Sequence, residues 1–321
     1  MTKQQNWWVT LGLLLVLGWT PWAKGATYTH ALGETHLDKT PQRIVVLGFA
    51  SLDLLQRLAI KPVGVTQTLL PEYLASFADA SYVHAGSLSE PDFETIFELA
   101  PDLIIIEGRM AGAYQDLSQI APTYIFMPDA QNYWSSVQQG WRDIGAMLNK
   151  STEVERLIDS VQQQMSTLQA KVKAQPLSTL MVMNNGNKIA MFGPNSRFGL
   201  IYRELGFPSV SHDTSANGPH GHLISFEYIA QQAPQILFVM DREQAIGRAQ
   251  GMAKKQFDNP LMAKTPAAQF HRLIFLNPSV WYLATGGVTA TELMLADLNQ
   301  AFIAPQVALT QSKQAMHSQS R

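Results

Sequence analysis

The chain has 321 residues, 46% of them hydrophobic, with 23 basic and 25 acidic side chains and no cysteine. A net charge of −2 gives no broad basic field for nucleic acid or an anionic membrane, so an anionic ligand has to be held by a local cluster of arginine or lysine. Without cysteine there is no thiol catalysis, no thiolate metal site and no lipid attachment through an N-terminal cysteine.

Residues 1–25 read as a cleaved secretory signal peptide. Lys3 opens it, the stretch from Trp7 to Gly18 is almost wholly apolar, and Ala23 and Gly25 stand at −3 and −1 of a cleavage before Ala26. The apolar run falls short of the ~20 residues that span a bilayer. Cleavage removes Lys3 and Lys24 and leaves 296 residues, with 21 basic against 25 acidic side chains and a net charge of −4. These features predict a soluble protein released beyond the inner membrane, long enough for two medium domains or one large one.

Strand and helix then alternate. Residues 43–48 predict a buried strand, 51–58 a helix, 62–66 a short strand and 71–80 a surface helix or loop. Residues 90–99 predict a helix, 101–107 a strand, 114–120 a helix, 123–127 a strand and 133–148 an amphipathic helix. The longest helix, 152–174, carries Val154, Leu157, Ile158, Val161, Met165, Leu168 and Val172 along one side. Thr152 and Glu155 form a capping-box pattern at its start, and Pro176 stops it. At ~1.5 Å per residue it is a rod of roughly 33 Å. Beyond it, 179–183 and 188–192 predict strands around a turn at 184–187, and 198–205 a helix. A polar Gly/Asn/His loop runs over 211–222, followed by a helix at 226–233, strands at 236–240 and 273–276, and a last helix at 289–302. Residues 305–321 predict a flexible polar tail. Such alternation predicts parallel sheets covered by helices.

One internal repeat stands out. Phe93, Glu94, Ile96, Ala100 and Pro101 recur as Phe226, Glu227, Ile229, Ala233 and Pro234, each 133 residues further on. Both copies run from a short helix through Ala-Pro into a buried strand. The duplication predicts an α/β protein of two Rossmann-like lobes, 26–150 and 176–304, joined by the single long helix at 151–175. Clefts between such lobes bind small molecules.

No G-x-S-x-G, H-E-x-x-H, P-loop or G-x-G-x-x-G motif is present. Arg109 and Arg242 follow the two duplicated strands, and Arg197 occupies a loop just past another. Ligands sit beyond the carboxyl ends of strands in such folds. A single arginine is ordinarily a surface charge, but three at equivalent places in an acidic chain are harder to dismiss. Guanidinium groups bind anionic oxygens bidentately and stack on aromatic rings. His220 and His222 lie in the polar loop, and Tyr282 follows the strand at 273–276. Imidazole and phenolate both suit a hard or borderline cation such as Fe³⁺.

Taken in order, several segments resemble the periplasmic binding proteins for ferric siderophores and cobalamin, and within them the branch for ferric catecholate siderophores. They are Arg43-Ile-Val-Val, Glu90-Pro-Asp-Phe-Glu94, Leu103-Ile-Ile-Ile-Glu-Gly-Arg109, Asn195-Ser-Arg197-Phe-Gly199, His220-Gly, Asp241-Arg242 through Ile246-Gly247, and Trp281-Tyr282-Leu. The resemblance covers roughly residues 35–304. It implies that Arg109, Arg197 and Arg242 hold the catecholate oxygens. It further implies that His220 and Tyr282 complete the coordination of iron when the siderophore brings only four donors. His222, two residues after His220, leaves open which histidine is the ligand. Glu94 and Glu227 are implied to dock on the permease of an ATP-driven importer. The resemblance thus implies a monomeric periplasmic carrier, not lipid-anchored, with no permanent cofactor and no enzymatic activity. The alternatives are a carrier of haem, cobalamin or a hydroxamate siderophore, or an exported hydrolase whose nucleophile no motif supplies. A single spine helix predicts a small closure on binding.

Overall fold

The computed structural model describes residues 25–210, 216, 218, 220–248 and 251–303. The expected signal peptide apart from Gly25, the expected tail 305–321 and most of the loop 211–219 lie outside the described residues. The chain opens with an antiparallel hairpin, β1 (Ala26–His30) and β2 (Gly33–Leu37), which is absent from the expectations above. Its residues are mostly exposed. Thr35 Oγ1 moors it by donating to the Thr123 carbonyl at 2.7 Å, and His30 packs edge-on against Tyr114 and Tyr124.

The first lobe follows as β3 (Ile44–Leu47), α1 (Phe49–Arg57), β4 (Gly64–Val65), a 3-10 turn at Glu72–Ala78 and β5 (Val83–His84). It continues with α2 (Phe93–Glu98), β6 (Leu103–Glu107), a second 3-10 turn at Gly108–Ala113, α3 (Tyr114–Ile120) and β7 (Thr123–Phe126). The five strands form a wholly parallel sheet in the order β5-β4-β3-β6-β7. Both faces are covered, so β3 and β6 read as unbroken apolar runs rather than alternating ones. Val46, Leu103 and Ile105 face one core, and Val45, Ile104 and Ile106 face another beneath α2 and α3.

Next come α4 (Tyr133–Met147) and α5 (Ser151–Ala174), and then the second lobe. Its elements are β8 (Thr179–Asn185), β9 (Lys188–Phe192), β10 (His222–Ile224), α6 (Phe226–Gln232), β11 (Ile236–Asp241) and α7 (Arg242–Ala245). They are followed by α8 (Met252–Phe257), α9 (Pro260–Ala263), α10 (Pro266–Gln269), β12 (Leu273–Phe275), α11 (Pro278–Tyr282) and α12 (Val288–Asn299). The sheet order is β10-β9-β8-β11-β12; β8, β11 and β12 are parallel, whereas β9 and β10 are antiparallel additions. The helix expected at 198–205 is a single π-type turn, Leu200–Glu204, whose Tyr202 hydroxyl accepts from the Met181 amide at 2.9 Å.

The spine α5 buries Val154, Ile158, Val161, Met165, Leu168 and Val172, and leaves Leu157 at the margin of the core. The expected capping box does not form. Lys150 is the N-cap, and Glu155 is drawn off by Arg142 of α4, with contacts of 2.8 and 3.1 Å. A second tie between the lobes is noncovalent. The helix α12, last in the second lobe, packs on both α5 and α1, so that one apolar core runs through both lobes. Arg57 of α1 pairs with Glu292 at 2.7 Å, and Asp53 Oδ2 accepts from the Ala290 amide at 2.9 Å.

Helix α4 lies close on β7, where a Cβ on Gly140 would stand 2.3 Å from the Phe126 ring. Overpacking of roughly 1–3 kcal/mol exceeds the ~1 kcal/mol that alanine gains in helix propensity. Gly140→Ala therefore lowers the urea midpoint with an unchanged m-value. A midpoint at or above the native one would show that Phe126 gives way freely.

Candidate functional site

The two copies of the repeat fold as one unit used twice. Asp92 caps α2 by accepting from the Thr95 amide, and Ser225 caps α6 by accepting from the Tyr228 amide. Each helix hands over to its strand through an alanine in the left-handed region, Ala100 at φ 42° and Ala233 at φ 46°. Strands β6 and β11 then lie parallel between two neighbours. Glu94 and Glu227 consequently hold the same place, exposed in the first turns of α2 and α6. Arg109 and Arg242 hold matching places just past the strands.

A cavity of about 730 Å³ opens between the lobes. The first lobe lines it with Glu107, Arg109, Phe126 and Tyr133 among others, and the second with Asn195, Arg197, Tyr282 and Thr285. The arginines meet at Tyr282, the last residue of α11. The guanidinium carbons of Arg109 and Arg197 each lie 4.8 Å from the centre of its ring, and that of Arg242 lies 5.6 Å away. Arg242 Nε donates to Tyr282 Oη at 2.9 Å, and its Nη1 donates to Asn185 Oδ1 at 3.1 Å and Glu243 Oε1 at 3.3 Å. From the other lobe, Arg109 Nη2 donates to the Tyr282 carbonyl at 3.0 Å. Arg197 also stands 5.5 Å from the Phe198 ring centre.

The electrostatics follow from this crowding. Burial opposes ionisation of Tyr282, yet the Arg242 hydrogen bond and the charges of Arg242, Arg109 and Arg197 outweigh it and hold the phenol below its ordinary range. Burial pulls the Arg197 pKa down, the charges of Arg109 and Arg242 add to that, and Tyr282 opposes it. Three cations thus surround one ring, Arg109 and Arg197 in the cavity wall and Arg242 outside its lining, and a compact anion entering the cavity relieves their mutual repulsion.

Residues 44–280 match the sequence pattern of the periplasmic binding proteins. The chain belongs to the periplasmic binding protein family. It is 33% identical over 276 residues to the petrobactin-binding protein YclQ of Bacillus subtilis (strain 168), covering 85% of this chain and 86% of that one. It is 27% identical over 278 residues to the ferric-anguibactin-binding protein FatB of Vibrio anguillarum (strain ATCC 68554 / 775), covering 85% and 86%. Among solved structures it is similar to the periplasmic catecholate-siderophore binding protein VctP of Vibrio cholerae. That match has a TM-score of 0.82 and 38% identity, and covers 86% of this chain and 100% of that one.

In this periplasmic binding protein the site residues expected from sequence are only partly gathered. Arg109, Arg197, Arg242 and Tyr282 converge. His220 is exposed on the turn before β10 and is not part of the cavity lining, although Gly218, two residues earlier, is. His222 opens β10 and is likewise exposed. Glu94 and Glu227 stand apart from the cavity; a hydrogen bond with Ser225 holds the Glu227 carboxyl below its usual value. Sequence reasoning missed Glu107, Phe126 and Tyr133. Glu107 carried a usable signal, because it closes the strand after which Arg109 had been singled out.

Proposed function

We propose that this protein captures a ferric siderophore of the catecholate class outside the inner membrane and delivers it to an ATP-driven importer, without performing chemistry on it. The observation that carries this reading is the convergence of three guanidinium groups on the ring of Tyr282, which lines a cavity between two lobes together with Arg109 and Arg197. A ferric tris-catecholate bears about −3 charge, which such a cluster compensates inside a protein that is acidic overall. Its flat rings suit guanidinium and phenol faces. The names of similar proteins, which specify petrobactin, anguibactin and catecholate siderophores, support the same class.

In this reading Arg109, Arg197 and Arg242 hold the catecholate oxygens. Tyr282, whose phenol is held below its ordinary range by the neighbouring arginines, completes the iron coordination with His220 when the siderophore leaves two positions open. His220 has to swing inward from its exposed turn to do so. The protein works as a monomer released by cleavage before Ala26, and Glu94 and Glu227 dock it on the permease. Alanine at Glu94 or Glu227 then leaves the Kd for the ferric complex unchanged and lowers uptake by membrane vesicles carrying the importer at least severalfold. Unchanged uptake with both replaced would remove the docking role.

The test of the ligand class is a tryptophan fluorescence titration. The cleaved form retains Trp134, Trp141 and Trp281, and Trp281 adjoins Tyr282. Ferric catecholates should quench its emission strongly and saturably. Absence of quenching with several ferric catecholates, alongside clear binding of haem or cobalamin, would overturn the proposal.

A further inference from the structure

Among the described residues lining the cavity, Glu107 alone is acidic. It ends β6, two residues before Arg109. Its carboxyl lies over the start of α1, where Oε1 accepts from the Ser51 amide at 2.9 Å and from Ser51 Oγ at 3.2 Å. Gly48 makes this approach possible, because a Cβ there would stand 2.2 Å from Glu107 Cδ. A carboxylate offers about four acceptor positions. Ser51 takes two on one oxygen and the Ala50 amide one more, so the group keeps acceptor capacity. Burial is the largest influence on its acidity and raises its pKa. The Ser51 and Ala50 hydrogen bonds and the charge of Arg109 pull the other way, and the balance is about 7.

As a cap for the start of α1, whose N-cap Gly48 has no side chain, the residue needs only an acceptor, and its ionised form repels the ligand that the arginines attract. A carboxyl in that position is useful against a donor. We propose that Glu107 determines specificity: its carboxyl accepts a hydrogen bond from an ammonium or N–H group on the scaffold joining the chelating arms, so the protein selects ferric chelates with such a donor beside their anionic oxygens. The assignment rests on the reading of the cavity as a ferric-chelate site. The other charged or titratable groups around Glu107 are Arg109 at the same strand end, Tyr73 and Asp53 behind it, and Arg197 and Tyr282 in the cavity wall.

The test uses two ferric complexes with identical catecholate arms, one joined by a linker containing a secondary amine and the other by the same linker with a methylene in its place. Fluorescence titrations are run on the native protein, Glu107→Gln and Glu107→Ala. The glutamine variant keeps a carbonyl for Ser51, and the alanine variant removes every acceptor. The native protein should prefer the amine-linked complex at least tenfold. Both variants should reduce that preference to within about threefold while binding the methylene-linked complex more tightly than the native protein does. Raising the pH from 6 to 8 should widen the preference in the native protein more than in Glu107→Gln, whose amide does not ionise. Equal preference in the native protein and both variants would overturn the role of Glu107 alone. Failure of either complex to bind any form would instead remove the ferric-chelate reading on which it rests.

Discussion

Arg197→Ala lowers the affinity for a ferric catecholate by about ten- to a hundredfold, and Arg109→Ala and Arg242→Ala lower it by smaller factors. A hydrogen bond to a charged partner contributes roughly 1.5–3 kcal/mol, and each 1.4 kcal/mol is about tenfold in Kd. The ranking comes from surroundings. Arg197 is largely withdrawn from water between the Tyr282 and Phe198 rings, so its attraction for an anion is the least screened. Arg109 is exposed, and its contribution should shrink further in high salt. Arg242 is already engaged by Tyr282 Oη, Asn185 and Glu243, so less of its charge is free to be gained. Arg197→Lys should recover only part of the loss, because an ammonium neither stacks nor binds two oxygens side by side. Fluorescence titration reads all four variants, and indifference at all three positions would remove the anion clamp.

Asp53→Asn stabilises the protein at pH 8 and has little effect near pH 4. Asp53 is buried in α1 and serves α12, whose own N-cap, Gly287, has no side chain to offer. Its Oδ2 accepts from the Ala290 amide, whereas Oδ1 and the nearby Tyr73 hydroxyl have no hydrogen-bond partner among the described residues. Burial is the main influence and raises the Asp53 pKa to about 6, against hydrogen bonds from Ala290 and Thr289 and the charge of Arg57. The folded value lies above the ordinary 3.8. The stabilising contribution is therefore complete below about pH 4 and is lost as the pH rises through about 6. Two pKa units correspond to about 3 kcal/mol. Asparagine keeps an acceptor for Ala290, adds a donor toward Tyr73 and does not ionise. The difference in stability between variant and native protein should grow from near zero at pH 4 to on the order of 3 kcal/mol at pH 8, seen as several degrees in Tm. A difference that does not change with pH would show that Asp53 is not ionising inside the fold. Asp53→Ala, which loses the Ala290 bond and leaves a cavity, should destabilise at every pH.

Much of this architecture is legible because it repeats or has a period. The stripe from Val154 to Val172 marks α5 by its spacing, and the copies headed by Phe93 and Phe226 mark two lobes by their register. The positions of Arg109 and Arg242 follow from the same copies, since both trail a duplicated strand. Other features have no local signature. The β1–β2 hairpin is short, polar and mostly exposed, so it shows no buried alternation. The packing of α12 on α1 depends on Asp53 and Arg57, more than 230 positions away in the chain. The capping box failed because Arg142, on a neighbouring helix, competes for Glu155. Glu107 reads as the end of an apolar strand, and only the fold turns its carboxyl over Gly48 and brings the residue to the cavity wall.

The most direct test of the central claim is a crystal structure of the protein with a ferric tris-catecholate bound. The account predicts the chelate between the lobes, its catecholate oxygens within hydrogen-bonding distance of Arg109, Arg197 and Arg242, and a ring face or edge against Tyr282. A chelate seated elsewhere, or one between the lobes that leaves all three guanidinium groups on the tyrosine ring, would contradict it.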